Sequence, residues 1–343
     1  MSYDVIVIGA SVAGLSTAIR LLEHSIVPLV IDKKALIGIP VQCAEYVPVP
    51  FAQVAPFISE SAAQSVGGME TFIVGDGKNV DKSILSAPGF ILHRDRWEKL
   101  LADRVSKLGG KITLNMKALS ISSDGSIETT NGNLSARVIV AADGPGSIAE
   151  KITGYKNRSM PAIQHTVALR EPLERTMTLF DRRIEGGYGW LFPKGKLGNL
   201  GVGGWSDMVA MSKVIHKFFS DFVFPDILGS TGGHIPVGGV AKKLVVGNVL
   251  LVGDAGGFAD PVTGAGIVYA FESGRQAADT IAEFLNGKAN DLTGYERKIK
   301  FLRRAIARSL VKRKEMEDNW HDEDFTATIK GVWIGFRKAN KTN

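Results

Sequence analysis

Residues 248–257 read Asn248-Val249-Leu250-Leu251-Val252-Gly253-Asp254-Ala255-Gly256-Gly257, and the chain continues through Asp260-Pro261 to Gly264-Ala265-Gly266-Ile267. The apolar run from Val245 to Val252 suits a strand buried on both faces of a parallel sheet. Such a strand delivers Asp254 at its C-terminal end, where ligands of open α/β sheets gather. Gly264 and Gly266 let backbone pass close to a flat ring. The helix expected from about Gly266 turns the positive end of its dipole toward that ring. Alone, a Gly-Asp-Ala turn says little; what precedes it in the chain gives it meaning.

At the N-terminus, Asp4-Val5-Ile6-Val7-Ile8 is a short β-branched run, followed by Gly9-Ala10-Ser11-Val12-Ala13-Gly14 and a helix from Leu15 to roughly Glu23. Pro28 to Ile31 reads as the next strand, closing a parallel β-α-β unit at Asp32. The turn is a variant of G-x-G-x-x-G, with an acidic residue eighteen positions beyond its last glycine. The helix N-terminus suits a pyrophosphate. Asp32 suits a ribose 2′-hydroxyl and would repel a 2′-phosphate. Ser11 departs from the pattern, because a glycine there normally lets backbone approach the phosphates. A third strand-turn, Val138-Ile139-Val140-Ala141-Ala142-Asp143-Gly144-Pro145-Gly146-Ser147, ends in an Asp-Gly turn with Ser147 available to cap a following helix. Taken in this order the three motifs specify FAD, with Asp254 reaching the ribityl hydroxyls and the helix dipole favouring an anionic reduced flavin.

Between these motifs, Leu36 to Pro56 contains four prolines and reads as a long loop over a site. Residues 66–93 read as short antiparallel strands broken by Gly and Asp. Arg96 to Leu108 has helical spacing, and Lys111 to Leu114 and Arg137 to Ala142 are strand-like. Residues 163–205 alternate and are glycine-rich, as in an antiparallel sheet. The expected fold is therefore α/β: a Rossmann-like FAD-binding lobe with an inserted antiparallel β-sheet substrate lobe. The cofactor lobe would comprise 1–65, 94–160 and 244–285. The substrate lobe would comprise 66–93 and 161–243, leaving 286–343 as a basic helical tail.

Composition excludes several classes. Of 343 residues, 45% are hydrophobic and 22% charged, as in an ordinary globular chain. Cys43 is the only cysteine and the histidines show no HExxH spacing, so neither a disulfide nor a metal centre is expected. No apolar run approaches the roughly 18 residues that span a bilayer, and no leader pattern opens the chain. A cytoplasmic protein is expected. Residues 287–343 carry 14 basic and 8 acidic residues, which accounts for the whole net charge of +6. The body is neutral, which argues against a nucleic-acid partner. Arg297 to Lys314 holds nine basic residues, with Ile299, Leu302, Ile306 and Leu310 at helical spacing. Phe325, Ile329, Val332, Trp333, Ile334 and Phe336 follow, interleaved with Lys330, Arg337 and Lys338. Two readings stand: a helix lying on an anionic membrane surface, or a solvated basic helix packing its stripe on the body.

The three motifs resemble those of FAD-dependent oxidoreductases with the p-hydroxybenzoate hydroxylase fold. Three further stretches look like the geranylgeranyl reductase branch: Pro40-Val41-Gln42-Cys43-Ala44-Glu45, Gly186-Gly187-Tyr188-Gly189-Trp190-Leu191-Phe192-Pro193-Lys194-Gly195, and Gly233-His234-Ile235-Pro236-Val237-Gly238-Gly239. The resemblance runs from Tyr3 to about Ile281 and fades beyond residue 285, and the chain looks shorter than typical members. It implies that Gly9, Ala13 and Gly14 hold the pyrophosphate and Asp32 the adenosine ribose. Arg94 would reach the phosphate and ribityl region, Ala118 the adenine, and Asp254, Gly266 and Ile267 the ribityl chain and isoalloxazine edge. Cys43, Ala44 and Tyr46 would lie by the flavin on the substrate side. Tyr46 stands where the family has glycine, and a ring there would narrow the mouth of the site.

Cys43 is either a small buried hydrophobe or a site residue. Tyr188 and Trp190 project from one sheet face, either as core or as an aromatic wall along an apolar tunnel that would also involve Tyr46 and Pro193. Glu45 and His165 read as structural or solvated. The expected function is reduction of prenyl carbon–carbon double bonds by hydride from reduced FAD. Cys43, Tyr46, Tyr188 or water would supply the proton, and NAD(P)H or a ferredoxin-type donor the electrons. The alternatives are a flavin hydroxylase of an aromatic or lipid substrate, a flavoprotein passing electrons to quinone, and a degenerate scaffold that only binds lipid.

Overall fold

The computed structural model describes residues 2–75 and 80–336. Its first β-α-β unit consists of β1 (Ser2–Ile8), α1 (Val12–Glu23) and β2 (Leu29–Ile31). The chain then runs through β3 (Tyr46–Pro48), α2 (Ile58–Ser61), β4 (Ala62–Val74), β5 (Val80–Leu92) and α3 (Arg94–Lys107). Next come β6 (Lys111–Thr113), β7 (Ala118–Ile121), β8 (Ser126–Thr129), β9 (Gly132–Ala141) and α4 (Glu150–Thr153). A run of strands follows: β10 (Ser159–Leu169), β11 (Arg175–Asp181), β12 (Tyr188–Lys194) and β13 (Leu197–Gly203), then α5 (Met208–Phe218) and β14 (Val223–Pro236). The chain ends with β15 (Val245–Val246), β16 (Val249–Leu251), α6 (Ile267–Leu285), α7 (Gly294–Lys298), α8 (Lys300–Asp318) and α9 (Phe325–Val332).

Two sheets divide these strands. The first has the order β15-β16-β9-β1-β2-β6, with β7 and β8 joined to it through β9. Its four central pairings, β16 with β9, β9 with β1, β1 with β2 and β2 with β6, are all parallel. The β-branched cores of β1, β9 and β16 are fully buried, as strands covered on both faces must be. The second sheet has the order β14-β10-β13-β12-β11-β4-β5-β3. It is antiparallel except for one pair: β11 lies parallel to β4, from Arg175 beside Gly68 to Asp181 beside Val74. The sheet is thus antiparallel as expected apart from this one pair, because the long excursion from β5 to β11 brings β11 back in the direction of β4.

Four local expectations also change. The strands around 66–93 are not short, because β4 and β5 pair over thirteen residues each. The proline-rich loop contains β3, which joins the second sheet against β5. Val245 to Val252 is two strands: Gly247, at φ +55, turns β15 back onto β16. Ser147 does not cap α4, whose N-cap is Ala149. Its hydroxyl instead donates to Asp143 at 2.6 Å and accepts from the Ala149 amide at 3.1 Å, tightening the turn before the helix.

The tail packs on the body. Ile299, Leu302 and Ile306 are buried in the core of the parallel-sheet lobe. Met316, Trp320, Phe325, Ile329, Val332 and Trp333 join Phe180, Tyr188 and Trp190 in a second core against the other sheet. Three of the four stripe residues are thus covered by the protein itself, whereas Leu310 is 36% exposed. Arg337 and Lys338 lie outside the described residues.

Candidate active site

The strand ends bring the three motifs together. Ile8 and Leu251 both pair with Ala141, so β1, β9 and β16 end at one level. Gly9, at φ +111, runs so close to Ala142 that a Cβ would stand 2.2 Å from its carbonyl oxygen. At Gly14 a Cβ would stand 1.8 Å from the Gly9 carbonyl oxygen, so the turn closes only without side chains. Helix α6 crosses α1 over this turn. A Cβ at Gly274 would meet the Ala13 carbonyl oxygen at 2.5 Å, and one at Gly253 the Ala13 methyl at 2.7 Å. The motif near the C-terminus is thus seated directly on the N-terminal one.

Ser11 has a use that the sequence conceals. It is the N-cap residue of α1, yet its hydroxyl does not cap the helix. Instead it donates to Glu98 at 2.7 Å and accepts from the Arg94 guanidinium at 2.9 Å. Arg94 and Glu98, one turn apart on α3, close the triangle through Nε at 2.9 Å. Because the hydroxyl is engaged, the first amides of α1 receive no side-chain cap and point at whatever lies before the helix. Burial lowers the Arg94 pKa, but the charge of Glu98 and the hydrogen bonds to Glu98 and Cys43 outweigh it and the net shift is upward. The guanidinium is a fixed positive charge.

Asp32, nearly buried, accepts from the Ala10 amide at 2.7 Å and from the Lys34 amide at 2.8 Å. Its own backbone accepts from Met116, two residues before Ala118, which is buried at the start of β7. Asp254 follows β16, with one oxygen 3.3 Å from where a Gly266 Cβ would be. Burial pushes its carboxyl up to about 6, while the charge of Arg94 pulls it down. Ile267 opens α6, and Gly266 is its N-cap.

Cys43 lies next to Arg94. Burial pushes its thiol up, and Arg94 and the Glu45 amide, which donates to Sγ at 3.2 Å, pull it down; the net shift is upward, so the thiol stays protonated. The Cys43 carbonyl accepts from Gln164 at 3.1 Å, and Gln164 in turn accepts from the Trp190 indole at 3.1 Å. Ala44 packs against the aromatic core and its carbonyl accepts from Asn199 at 3.4 Å. Glu45 is held at φ +70 and is 1% exposed. It accepts from the Arg94 amide at 2.9 Å, from Lys194 at 2.6 Å and from Asn199 at 3.0 Å. This buried carboxylate fastens the Cys43 loop to both α3 and the second sheet.

The Tyr46 ring covers Gly89, meets Phe192 edge-on at 6.4 Å, and donates its hydroxyl to the Ala87 carbonyl at 3.2 Å. The ring thus lies against the second sheet beside Phe192, on the strand face that also carries Tyr188 and Trp190. The Tyr188 hydroxyl donates to the Thr263 carbonyl at 2.5 Å, next to Gly264. Burial first, and then the charge of Asp260, raise its pKa, so it remains a phenol. Trp190 lies flat over Gly201, where a Cβ would be 2.3 Å from the indole. The Tyr188 ring packs with Phe180, Trp190 and Trp333. Pro193 is corrected: strand alternation puts it with Leu191, away from Tyr188, Trp190, Phe192 and Lys194. His165 also faces away, between Ser230 at 2.9 Å and Ser212 at 3.2 Å.

Sequence reasoning missed Glu98, Lys194, Asn199, Gln164 and Phe192. The i, i+4 spacing of Arg94 and Glu98 was the one available signal. The others come from strands far apart in sequence.

No protein-family model matches the chain. Among curated proteins it is 30% identical to the digeranylgeranylglycerophospholipid reductase of Methanocella arvoryzae, over 92% of this chain and 86% of that one. The chain belongs to the digeranylgeranylglycerophospholipid reductase family. It is an oxidoreductase of that family. The enzyme of the same name from Methanocaldococcus jannaschii is 27% identical, over 96% of this chain and 90% of its own. These matches extend the resemblance past residue 285 and into the tail. A geranylgeranyl bacteriochlorophyll reductase-like protein from Thermoplasma acidophilum superposes with a TM-score of 0.83 at 25% identity, over 98% of this chain and 92% of that one. PqsL of Pseudomonas aeruginosa, crystallised with 2-aminobenzoylacetate, has a TM-score of 0.71 at 15% identity, over 96% of this chain and 100% of that one. The last shares the fold alone.

Proposed function

We propose that the chain binds FAD and uses it in reduced form to saturate carbon–carbon double bonds of a prenyl chain carried by a lipid. The observation that carries the reading is the family membership, joined to a site whose donor set suits this dinucleotide. Uncapped amides of α1 and the fixed charge of Arg94 suit a pyrophosphate. Asp32 suits a ribose, Asp254 ribityl hydroxyls, and the glycines at 264 and 266 a flat ring. When bound, reduced flavin supplies hydride.

The chain's own residues have three tasks. Arg94, Ser11 and Glu98 lock one another, so the charge at the phosphate end is held without reorganisation. The Cys43 loop, anchored by Glu45 and Gln164, carries a protonated thiol beside Arg94. That thiol is the candidate proton donor to the alkene carbon opposite the hydride. Tyr188 holds the Thr263–Gly266 loop through its hydroxyl and, with Trp190, gives the site an apolar, water-excluding wall. A prenyl chain gains roughly 0.8 kcal/mol per buried CH₂, so few polar contacts are needed to hold it.

The test is anaerobic incubation of dithionite-reduced protein with a geranylgeranyl glycerolipid, followed by mass spectrometry. A gain of two hydrogens per bond supports the reading. An unchanged lipid in the presence of bound, reduced flavin sinks it, and oxygen-dependent insertion of oxygen would favour a hydroxylase instead. Reoxidation by quinone with no change in the lipid would favour an electron-transfer flavoprotein.

A further inference from the structure

Helix α8 buries one face and leaves the other to solvent. Leu302, Ile306, Arg313 and Met316 point inward. The opposite face carries Lys300, Phe301, Arg304, Ala307, Arg308, Val311 and Lys314, all exposed. Phe301 is 54% and Val311 69% exposed, and each stands between cations of successive turns. Among the described residues, none of these four cations makes an ion pair; the neighbouring Arg303 and Arg313 do. No acidic residue interrupts this face before Glu315. It is a strip of about 20 Å at 1.5 Å per residue, and it belongs to the segment that holds the chain's entire net charge of +6.

The strip adjoins the candidate site. Arg308 acts electrostatically on Tyr269 in the first turn of α6, where Val268 is also 37% exposed. Gly266 and Ile267, the residues expected at the isoalloxazine edge, begin that same turn. On the inner side of α8, Ser309 donates to Asp260 at 2.8 Å and Arg313 to the Pro261 carbonyl at 3.3 Å. The helix is therefore fixed to the loop that leads into α6.

We propose that the outer face of α8 docks the protein on an anionic lipid bilayer, with Lys300, Arg304, Arg308 and Lys314 at the headgroups and Phe301 and Val311 inserted between them. This is the face opposite the apolar stripe of the sequence. Unpaired cations flanking exposed apolar side chains fit a surface that offers negative charge above hydrocarbon. Docking there would bring the first turn of α6 beside the bilayer from which a prenyl lipid must come. That last consequence rests on the proposed reduction; the docking itself does not.

The test is sedimentation of the full chain, with and without added FAD, with vesicles of phosphatidylglycerol or of phosphatidylcholine. Binding to phosphatidylglycerol vesicles that weakens with added salt, and little binding to phosphatidylcholine, is expected. The pair Arg304→Gln and Arg308→Gln should weaken binding about 30-fold. The pair Phe301→Ser and Val311→Ser should weaken it on the order of 10-fold. Lys151→Gln, at another exposed cation, should leave it unchanged, and thermal melts should show all variants folded. Equal binding to both lipids, or variants that bind like the parent, would overturn the proposal. So would retention by an acidic protein such as a ferredoxin, sensitive to the arginine pair, with no vesicle binding. Vesicle binding by protein that takes up no FAD would leave the docking standing and the reductase reading fallen.

Discussion

The Gly9–Gly14 turn and the helical tail both support the same site, but they encode that support differently. In the turn, the constraint is local backbone geometry: two positions tolerate no Cβ, and residue type reports this directly. In the tail, the constraint is packing. Arg313, Met316, Trp320 and Trp333 brace the Asp260–Gly266 loop and Tyr188 from outside, and nothing in their sequence spacing names that target. The turn is therefore brittle at single positions, whereas the tail shares its load among many side chains.

Gly14→Val strikes the turn where it is least forgiving. Its Cβ would stand 1.8 Å from the Gly9 carbonyl oxygen, and relief requires moving β1 or α1. A loss of about 3 kcal/mol or more is expected, with flavin binding abolished, as measured by denaturant unfolding and flavin fluorescence. Normal flavin uptake would break the comparison at its stronger end.

Trp333→Ala is the corresponding test of the tail. The indole is 2% exposed, donates to Thr71 Oγ1 at 3.0 Å and meets the Phe180 and Tyr188 rings. Its removal should cost about 3–5 kcal/mol by leaving a cavity beside Tyr188. Flavin affinity should fall only modestly, because the remaining tail contacts still hold the loop. A loss of flavin as complete as for Gly14→Val would show the tail to be equally brittle.

Asp254→Asn sharpens the comparison through pH. In the flavin-free protein the Asp254 carboxyl holds its proton up to about 6 instead of the ordinary 3.8. The folded chain therefore binds more protons than the unfolded chain in that window, and this contribution to stability is lost as pH rises through it. The variant should melt with a flatter profile between these pH values and be more stable at pH 7 by roughly 1–3 kcal/mol. Identical profiles for the two proteins would remove the raised carboxyl from the account.

The smallest effect belongs to the outer side of α8. Phe301→Ser should change stability by less than about 0.5 kcal/mol in a thermal melt, since the ring makes its exposure in water and not in a core. A larger loss would mean that this face already has a partner within the chain.

Much of the parallel sheet was legible, because β1, β9 and β16 each end in a turn whose glycine or aspartate has a local reason to be there. The second sheet was read as a class but not in its pairing. β11 lies parallel to β4 because of how the chain returns after a long excursion, and strand patterns carry no record of direction. In the site, Asp254 could be named from its strand end. Ser11 looked like a defect and is instead the hydroxyl that joins Arg94 to Glu98, since its partners come from a helix more than eighty residues away.

By itself the sequence determined the dinucleotide turn, the strand that delivers Asp254 and the amphipathic character of the tail, all properties of neighbours within one or two turns of chain. Only the tertiary structure decided that Glu45 is a buried anchor, that the Tyr188 hydroxyl reaches the Thr263 carbonyl, and that α8 turns Phe301 and Val311 to solvent while burying Arg313. Periodicity allows apolar and charged residues on either side of such a helix. Which side is buried depends on the shape and hydrogen-bonding groups of the surface it meets, and those are assembled from distant parts of the chain.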